Sequence, residues 1–323
     1  MRDRFFTILK IVFSLALVAV AFILVDMQRV AAQLANAQLG YFALALVFYL
    51  IAIAVNGAKW QVLMRAQGIR VPFRAVLRFM FVGFFFNNFL PMVGGDVMRG
   101  FSLARYTDRT ADAAVSVIVD RIIGLMAYMS SAVLAAFITV IVLRRQDLRW
   151  LEWVALVAFS VLALGFAVML SRRLRMIISR VFAWHWLNPL AGTWERVSGA
   201  FNAYRFRPDA LAVAFLVALA GILCTTLVNW LLSQSMGGLM WLPYIFLLNP
   251  LIALLQTVPI SVGGGLGVNQ AAYPFFFGLV GVPADHAVAV SLLMQAVVFL
   301  GSLPGGFLWF QGRARRLEHE TAQ

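Results

Sequence analysis

The chain has 323 residues, of which 63% are apolar and only 12% are charged, and its formal net charge is +13. This composition excludes a soluble globular domain, which would need far more polar residues to cover its exterior. Several apolar stretches are long enough to cross a bilayer core of about 30 Å and lack the alternation of barrel strands, so the sequence predicts an all-α, polytopic integral membrane protein.

The positive charge does not indicate a nucleic-acid partner, because basic residues collect in the cytoplasmic loops of membrane proteins and near anionic headgroups. Cys224 is the only cysteine, and the three histidines show no metal-ligand spacing. The sequence also lacks a P-loop, a workable pair of catalytic carboxylates and a nucleophile elbow. We therefore expect no catalytic residue, no metal site and no cofactor.

Seven apolar segments are predicted to span the membrane. In chain order they are residues 5–25, 42–58, 115–143, 151–170, 210–232, 241–258 and 287–310. The first is too long for the apolar region of a signal peptide, so we expect it to be retained. Residues 263–282 would add an eighth span if they cross.

Basic residues near the ends of these segments predict their orientation. The N-terminus is expected in the cytoplasm, together with the segment after the second span, which holds Lys59, Arg65, Arg70, Arg74 and Arg78. The short apolar piece 79–93 has basic flanks on both sides, and a full crossing would export the basic loop 171–207. We therefore predict that this piece dips into the membrane and returns as a re-entrant hairpin.

The hairpin contains the motif "NNFLPMVGGDVMRG", residues 87–100. Its proline and glycines are expected to end one half-helix so that the chain can turn inside the membrane. Because lipid cannot satisfy the backbone groups exposed by such a break, the motif should face the interior of the bundle.

A second stretch, "LLQTVPISVGGGLGVNQAAYPFFF" at residues 254–277, is similar to the first. When Pro91 is aligned with Pro259, the two glycine pairs lie one residue out of register, and each copy follows a span that descends toward the cytoplasm. We interpret this as a weak internal repeat within one domain, residues 1–323, with halves at about 1–143 and 208–311 joined by span 151–170 and loop 171–207. The basic C-terminus requires residues 263–282 to cross, whereas the repeat predicts that they re-enter, and both possibilities stay open.

Paired broken segments in corresponding halves indicate the binding site of a transporter. The N-terminal end of a half-helix favours a phosphate or carboxylate, and glycine allows its close approach. The alternative is that these glycines serve only tight helix packing.

Asp120 and Arg121 lie within a long apolar helix, where a charge costs at least ~2.5–3.5 kcal/mol and needs a partner. Neighbouring helical positions point about 100° apart, so these two cannot neutralise each other on one face. We predict that Asp120 pairs with an arginine of the hairpin, such as Arg99, and that Arg121 reaches into the cavity or toward a lipid phosphate. Alternatively, both could extend to the membrane interface, and Asp96 could simply occupy the first turn of the next helix.

Arg99 and Arg121 are the expected phosphate contacts, and Asp96 and Asp120 would orient them or take up a proton. The full predicted substrate-binding set is Asn88, Pro91, Gly94, Gly95, Asp96, Arg99, Asp120, Arg121, Gln256, Pro259, Ser261, Gly264, Gly265, Gly267 and Asn269.

These residues carry a family resemblance. The ordered motifs "NNFLPMVGGDVMRG", "VDRIIGL" and "PISVGGGLGVNQA" cover nearly the whole chain, which resembles the flippase-like family sharing the transmembrane region of lysylphosphatidylglycerol synthases. Aspartate stands in "GGD" and "VDR" where the family pattern commonly has glutamate.

The resemblance implies a helical protein of the bacterial inner membrane that moves lipids between leaflets. The chain ends at Gln323, just beyond its last span, so we expect it to lack the soluble aminoacyltransferase domain of the synthases and not to share their synthase activity. The expected partners are membrane lipids with an anionic headgroup, either phospholipids or isoprenoid-type lipids, and a lipid-synthesis enzyme is a further candidate. The alternative function is a membrane-embedded lipid-modifying enzyme or a helper subunit of one.

Overall fold

The computed structural model describes residues 26–88, 94–142, 144, 146–171, 173, 201–256 and 265–321. The predicted first span and most of the basic loop lie outside these residues. The helices of the described part are α1 (Met27–Ala35), α2 (Leu39–Ala66), α3 (Phe73–Asn87), α4 (Gly94–Thr107), α5 (Thr110–Phe137), α6 (Arg149–Leu170), α7 (Pro208–Gln234), α8 (Leu242–Gln256), α9 (Val268–Gly278) and α10 (Ala284–Thr321).

Five of these helices are long and apolar enough to cross a membrane: α2, α5, α6, α7 and α10. The all-α, polytopic architecture is therefore confirmed. Helices α3, α4, α8 and α9 contain 15, 14, 15 and 11 residues, which correspond to lengths of roughly 16 to 23 Å at 1.5 Å per residue. The prediction of a full span at 241–258 needs correction, because α8 is too short to cross the bilayer alone.

Helices α3 and α4 form an antiparallel hairpin, as the sequence predicted for this region. The rings of Phe79 and Tyr106 meet at the open end of the hairpin with centroids 5.9 Å apart, and Gly83 lies against Gly95 near its tip. Both ends of the hairpin lie beside the C-terminal end of α2: Gln61 donates to the carbonyl of Val71, just before α3, at 2.8 Å, and Arg109, just after α4, donates to the carbonyl of Gln67 at 3.3 Å.

Helix α8 begins and helix α9 ends at the same end of the bundle, as in the first hairpin. Ser233, near the end of α7, accepts a hydrogen bond from the main-chain N–H of Met240 at 3.0 Å, just before α8. The same hydroxyl is hydrogen-bonded to Nε2 of His286 at 2.9 Å, at the start of α10. Helix α8 therefore starts, and α9 is followed by α10, at the same end of the bundle, so the described residues 265–282 re-enter rather than cross.

The two hairpins enter the bundle from opposite ends, because α2 and α7 run antiparallel. The N–H of Gln38 at the start of α2 donates to the carbonyl of Ser235 at the end of α7, at 3.0 Å. Further along the same pair, a Cβ at Gly221 would lie 3.3 Å from Nδ2 of Asn56. The expectation that both copies follow a descending span is therefore wrong, since the spans preceding them run in opposite directions.

Helix α10 then returns to the end where α2 finishes. It packs antiparallel to α3, with Asn88 donating to Ser302 at 2.7 Å and Arg78 donating to the carbonyl of Leu308 at 3.2 Å. We call this end of the bundle the basic end, because it carries Arg65, Arg70, Arg74 and Arg78.

The described halves form an inverted repeat at the level of individual helices. Helices α2 to α5 and α7 to α10 share the order long, short, short, long. Each helix of the first half begins a fixed number of residues before its counterpart in the second. The offset is 169 residues for α2 with α7 and for α3 with α8, and 174 residues for α4 with α9 and for α5 with α10. The packing is reciprocal, since α3 contacts α10 while α8 contacts α5. The second half therefore differs from the first by a longer break between its short helices.

Candidate functional site

A cavity of about 360 Å³ lies where the two hairpins meet inside the bundle. Both hairpins and the surrounding spans line it. From the first hairpin it receives Met80, Gly83, Phe84, Asn87, Gly95, Asp96 and Arg99, and from the second hairpin and its break Ala253, Gln256 and Gly265.

Five charged side chains form one alternating chain along the wall of this cavity. The Lys59 ammonium lies 3.1 Å from Oδ1 of Asp120, whose other oxygen lies 2.8 Å from Nη2 of Arg99. Nε of Arg99 lies 3.1 Å from one oxygen of Asp96, and the other oxygen accepts a hydrogen bond from Arg121 at 2.7 Å. Each carboxylate therefore lies between two cations, and both ends of the chain are cationic.

The burial of these side chains shows which end of the chain of charges is accessible. The side chains of Lys59 and Asp120 are each 5% exposed, whereas that of Arg121 is 37% exposed. The predicted pair of Asp120 with Arg99 is confirmed, and the alternative that Asp120 extends to the interface is wrong. Asp96 lies in the first turn of α4, as the sequence also suggested, and its carboxylate is stabilised there by the helix dipole.

Arg99 is held on several sides. Its guanidinium lies 5.0 Å from the ring centroid of Trp60, and Trp60 donates in turn to Ser116 at 3.1 Å. Nη1 of Arg99 also lies 3.6 Å from the sulfur of Met80. Arg99 thus ties α4 to α2, α3 and α5, and its role as a phosphate contact stays a prediction.

Lys59 was expected in a cytoplasmic segment, and the structure places it inside the bundle. Helix α2 continues to Ala66, so Lys59 lies well before its end, with 4% of the residue exposed. Its ammonium also donates to the main-chain carbonyl of Asp120 at 3.3 Å. A signal was present in the sequence, because this is one of only two lysines and it directly follows an apolar run.

Two glycines allow the helices of the first hairpin to touch. A Cβ at Gly83 would lie 2.9 Å from the carbonyl oxygen of Gly95, and one at Gly95 would overlap the Gly83 carbonyl and the Asn87 carboxamide. Asn87 accepts a hydrogen bond from the N–H of Gly95 at 2.9 Å. Gly95 therefore serves helix packing, which was the alternative interpretation, and also lines the cavity.

The second hairpin is held by neutral hydrogen bonds. Gln256 donates to Asn269 at 2.7 Å across the break, and Tyr273 on α9 donates to the buried Asn229 on α7 at 2.7 Å. Gly265 and Gly267 adopt φ angles of 100° and 85°, which L side chains rarely reach.

Corresponding positions of the two halves line the same cavity. By the offsets of 169 and 174 residues, the pairs are Asn56 with Thr225, Phe84 with Ala253, Asn87 with Gln256, Asp120 with Met294 and Gly124 with Val298. Equivalent positions of both halves thus line the cavity, whereas all of its described charges come from the first half.

The predicted site residues fall into three groups. Those that line the cavity are Gly95, Asp96, Arg99, Asp120, Arg121, Gln256 and Gly265. Four others are described but do not line it. Asn88 donates to Ser302 and Asn269 accepts from Gln256, while Gly94 and Gly267 lie at the starts of α4 and α9. Those that lie outside the described residues are Pro91, Pro259, Ser261 and Gly264.

The sequence did not point to several polar residues of the cavity wall. Besides Lys59, these are Tyr49, Asn56, Asn87, Tyr128 and Thr225. Asn56 and Lys59 are three positions apart on α2 and therefore share a helix face, which is the pattern that could have indicated them. Tyr128 and Thr225 join α5 to α7 through their hydroxyl oxygens, 3.4 Å apart.

The comparisons with known proteins agree with this architecture. Residues 7–305 match the family model described as the lysylphosphatidylglycerol synthase TM region. A UPF0104 membrane protein from Pyrococcus horikoshii is 22% identical over 94% of this chain and 97% of its own length. A UPF0104 membrane protein from Methanothermobacter thermautotrophicus is 25% identical over 80% of this chain and 81% of its own length. The chain belongs to the family defined by the transmembrane region of lysylphosphatidylglycerol synthases.

Proposed function

We propose that this protein moves lipids between the leaflets of the bacterial inner membrane, with the headgroup passing through the cavity between the two hairpins. The N-terminus and the basic end lie in the cytoplasm in this proposal, because basic residues stay on that side. The acyl or isoprenoid chain remains in the surrounding lipid.

One observation carries the proposal: a chain of five charges, buried inside an apolar bundle, ends on the half-exposed Arg121 in a cavity reached by hairpins from both ends. Charges at membrane depth are costly and mark pathways for polar substrates. Ion pairs that only stabilised the helices could be replaced by apolar packing of similar volume at little cost.

Arg121 is the best placed contact for an anionic headgroup. Only its Nη1 donates to Asp96, and its remaining N–H groups have no partner within the described part of the chain. A guanidinium presents these donors in a planar fork that matches two oxygens of a phosphate.

The test compares two arginines. Arg121→Gln removes the exposed end of the charge chain, whereas Arg105→Gln changes an exposed arginine of α4 that stacks on Phe101, 5.6 Å from its ring centroid, away from the cavity. Each purified variant is reconstituted in vesicles containing an anionic lipid with a fluorescent acyl chain, and dithionite quenching reports transfer between leaflets.

We expect wild type and Arg105→Gln to move the lipid, and Arg121→Gln to reduce the rate to that of empty vesicles with an unchanged melting temperature. Equal rates for Arg121→Gln and wild type would contradict the assignment. Chemical conversion of the labelled lipid by purified protein, without transfer, would instead support a lipid-modifying enzyme or a helper subunit of one.

A further inference from the structure

We infer that this site selects a headgroup whose phosphate carries the net negative charge and that bears no positively charged group, and that Lys59 sets this preference. The inference rests on the proposed function, because it names the substrate class of the same cavity. It concerns the charge balance of the site rather than any single phosphate contact.

The described cavity wall carries three cations, Lys59, Arg99 and Arg121, and two carboxylates, Asp96 and Asp120. Residues 89–93 and 257–264, which lie outside the described residues, contain no charged residue in the sequence. The site therefore has a formal excess of one positive charge, which a monoanionic headgroup would neutralise.

Both carboxylates already lie between two cations of the protein. Asp120 lies within ion-pair distance of Lys59 and Arg99, and Asp96 lies within ion-pair distance of Arg99 and Arg121. An amine on the headgroup would find neither carboxylate available and would meet the cationic end of the chain at Arg121. A zwitterionic or aminoacylated headgroup is therefore disfavoured.

Lys59 is built into this arrangement. It is buried, and Gly124 leaves room for it, because a Cβ at that position would lie 3.2 Å from the Lys59 ammonium. Without Lys59 the site would be formally neutral, and Oδ1 of Asp120 would lose the cation that lies 3.1 Å away. That oxygen could then accept an amine.

The experiment measures binding by the purified full-length protein in detergent, through the shift in melting temperature with short-chain phosphatidylglycerol, phosphatidylcholine, lysylphosphatidylglycerol and an isoprenyl phosphate. The first and last of these distinguish a glycerolipid source from an isoprenoid source of the phosphate. The variants are Lys59→Met, which removes one positive charge, and Lys59→Met/Asp120→Asn, which removes one charge of each sign and restores the excess.

We expect wild type to bind phosphatidylglycerol or the isoprenyl phosphate about tenfold more tightly than phosphatidylcholine and lysylphosphatidylglycerol, whose headgroups carry a positive charge, since one unit of charge can supply at least this factor in a partly exposed site. Lys59→Met should lose this preference, and the double variant should regain it. A purely structural role for Lys59 would not produce such a restoration.

Three results would overturn the inference: wild type binding phosphatidylcholine or lysylphosphatidylglycerol most tightly, Lys59→Met keeping the wild-type order, or the double variant failing to restore it. If Lys59→Met does not fold, the wild-type order and the double variant still decide the question. Because binding is measured without transport, a protein that shows the expected order but moves no lipid in vesicles would refute the proposed function and leave this inference standing.

Discussion

Replacing Asp120 by alanine tests whether the buried charge chain stabilises the bundle. The change leaves the ammonium of Lys59 and Nη2 of Arg99 without the carboxylate that now lies 3.1 and 2.8 Å from them. Breaking one partner of a buried ion pair costs about 3–5 kcal/mol, because an uncompensated charge remains. A cost of this size should lower the melting temperature by about 4–7 °C for a chain of 323 residues.

The assay follows tryptophan fluorescence during heating of the purified protein in one detergent at a fixed scan rate. Asp209→Ala is the matched control, because that aspartate is exposed and pairs with the equally exposed, neighbouring Arg207, so we expect little change in melting temperature. Adding Lys59→Met to Asp120→Ala should recover part of the loss, since it removes one of the two unpaired cations. If Asp120→Ala melted with wild type and Asp209→Ala, the reasoning about a buried ionic chain would be refuted.

Three further predictions follow from the hairpins. Gly95→Ala should destabilise the protein by about 1–3 kcal/mol, because its Cβ would overlap the Gly83 carbonyl, whereas Gly100→Ala on the same helix should not destabilise it. Thermal melting compares the two variants, and equal losses of stability would refute close helix contact as the cause. Tyr273→Phe should cost about 1–3 kcal/mol by removing a hydrogen bond to the buried Asn229, and an unchanged melting temperature would contradict that bond. Amide hydrogen exchange should be faster in α9 than in α4, because neutral hydrogen bonds tie α9 to α7 while ion pairs anchor α4, and mass spectrometry showing the reverse order would count against this difference.

The membrane class and the spans could be predicted from the sequence because they depend on apolar length alone. The spans at 42–58, 115–143, 151–170, 210–232 and 287–310 correspond to α2, α5, α6, α7 and α10. The pairing of Asp120 with Arg99 was also accessible, since an isolated charge in an apolar helix needs a partner and the nearby hairpin carries one.

The direction of the second hairpin could not be predicted in the same way. Residues 241–258 are apolar enough to resemble a span, and only the contacts of Ser233 with Met240 and His286 show that the chain returns to its starting end. Positive charges gave little help, because the α8–α9 hairpin carries none.

The place of Lys59 was missed for a related reason. A basic residue at the end of an apolar run usually marks the membrane boundary, and that interpretation shortened α2 by several residues. The helix continues because most of residues 59–64 are buried in the bundle, where Leu63 packs against residues of α5 and α7. Tertiary contacts, rather than the local sequence pattern, therefore determine where α2 ends.

Photo-crosslinking tests most directly whether the headgroup enters the cavity between the hairpins. An anionic lipid with a diazirine on its headgroup is incorporated into vesicles with the full-length protein, irradiated, and the adducts are mapped by mass spectrometry. We predict adducts on cavity-wall residues from both halves, such as Asn56 and Tyr128 from the first and Thr225 from the second, and their loss in Arg121→Gln. Adducts confined to lipid-facing positions such as Leu164, with no dependence on Arg121, would contradict the proposed pathway.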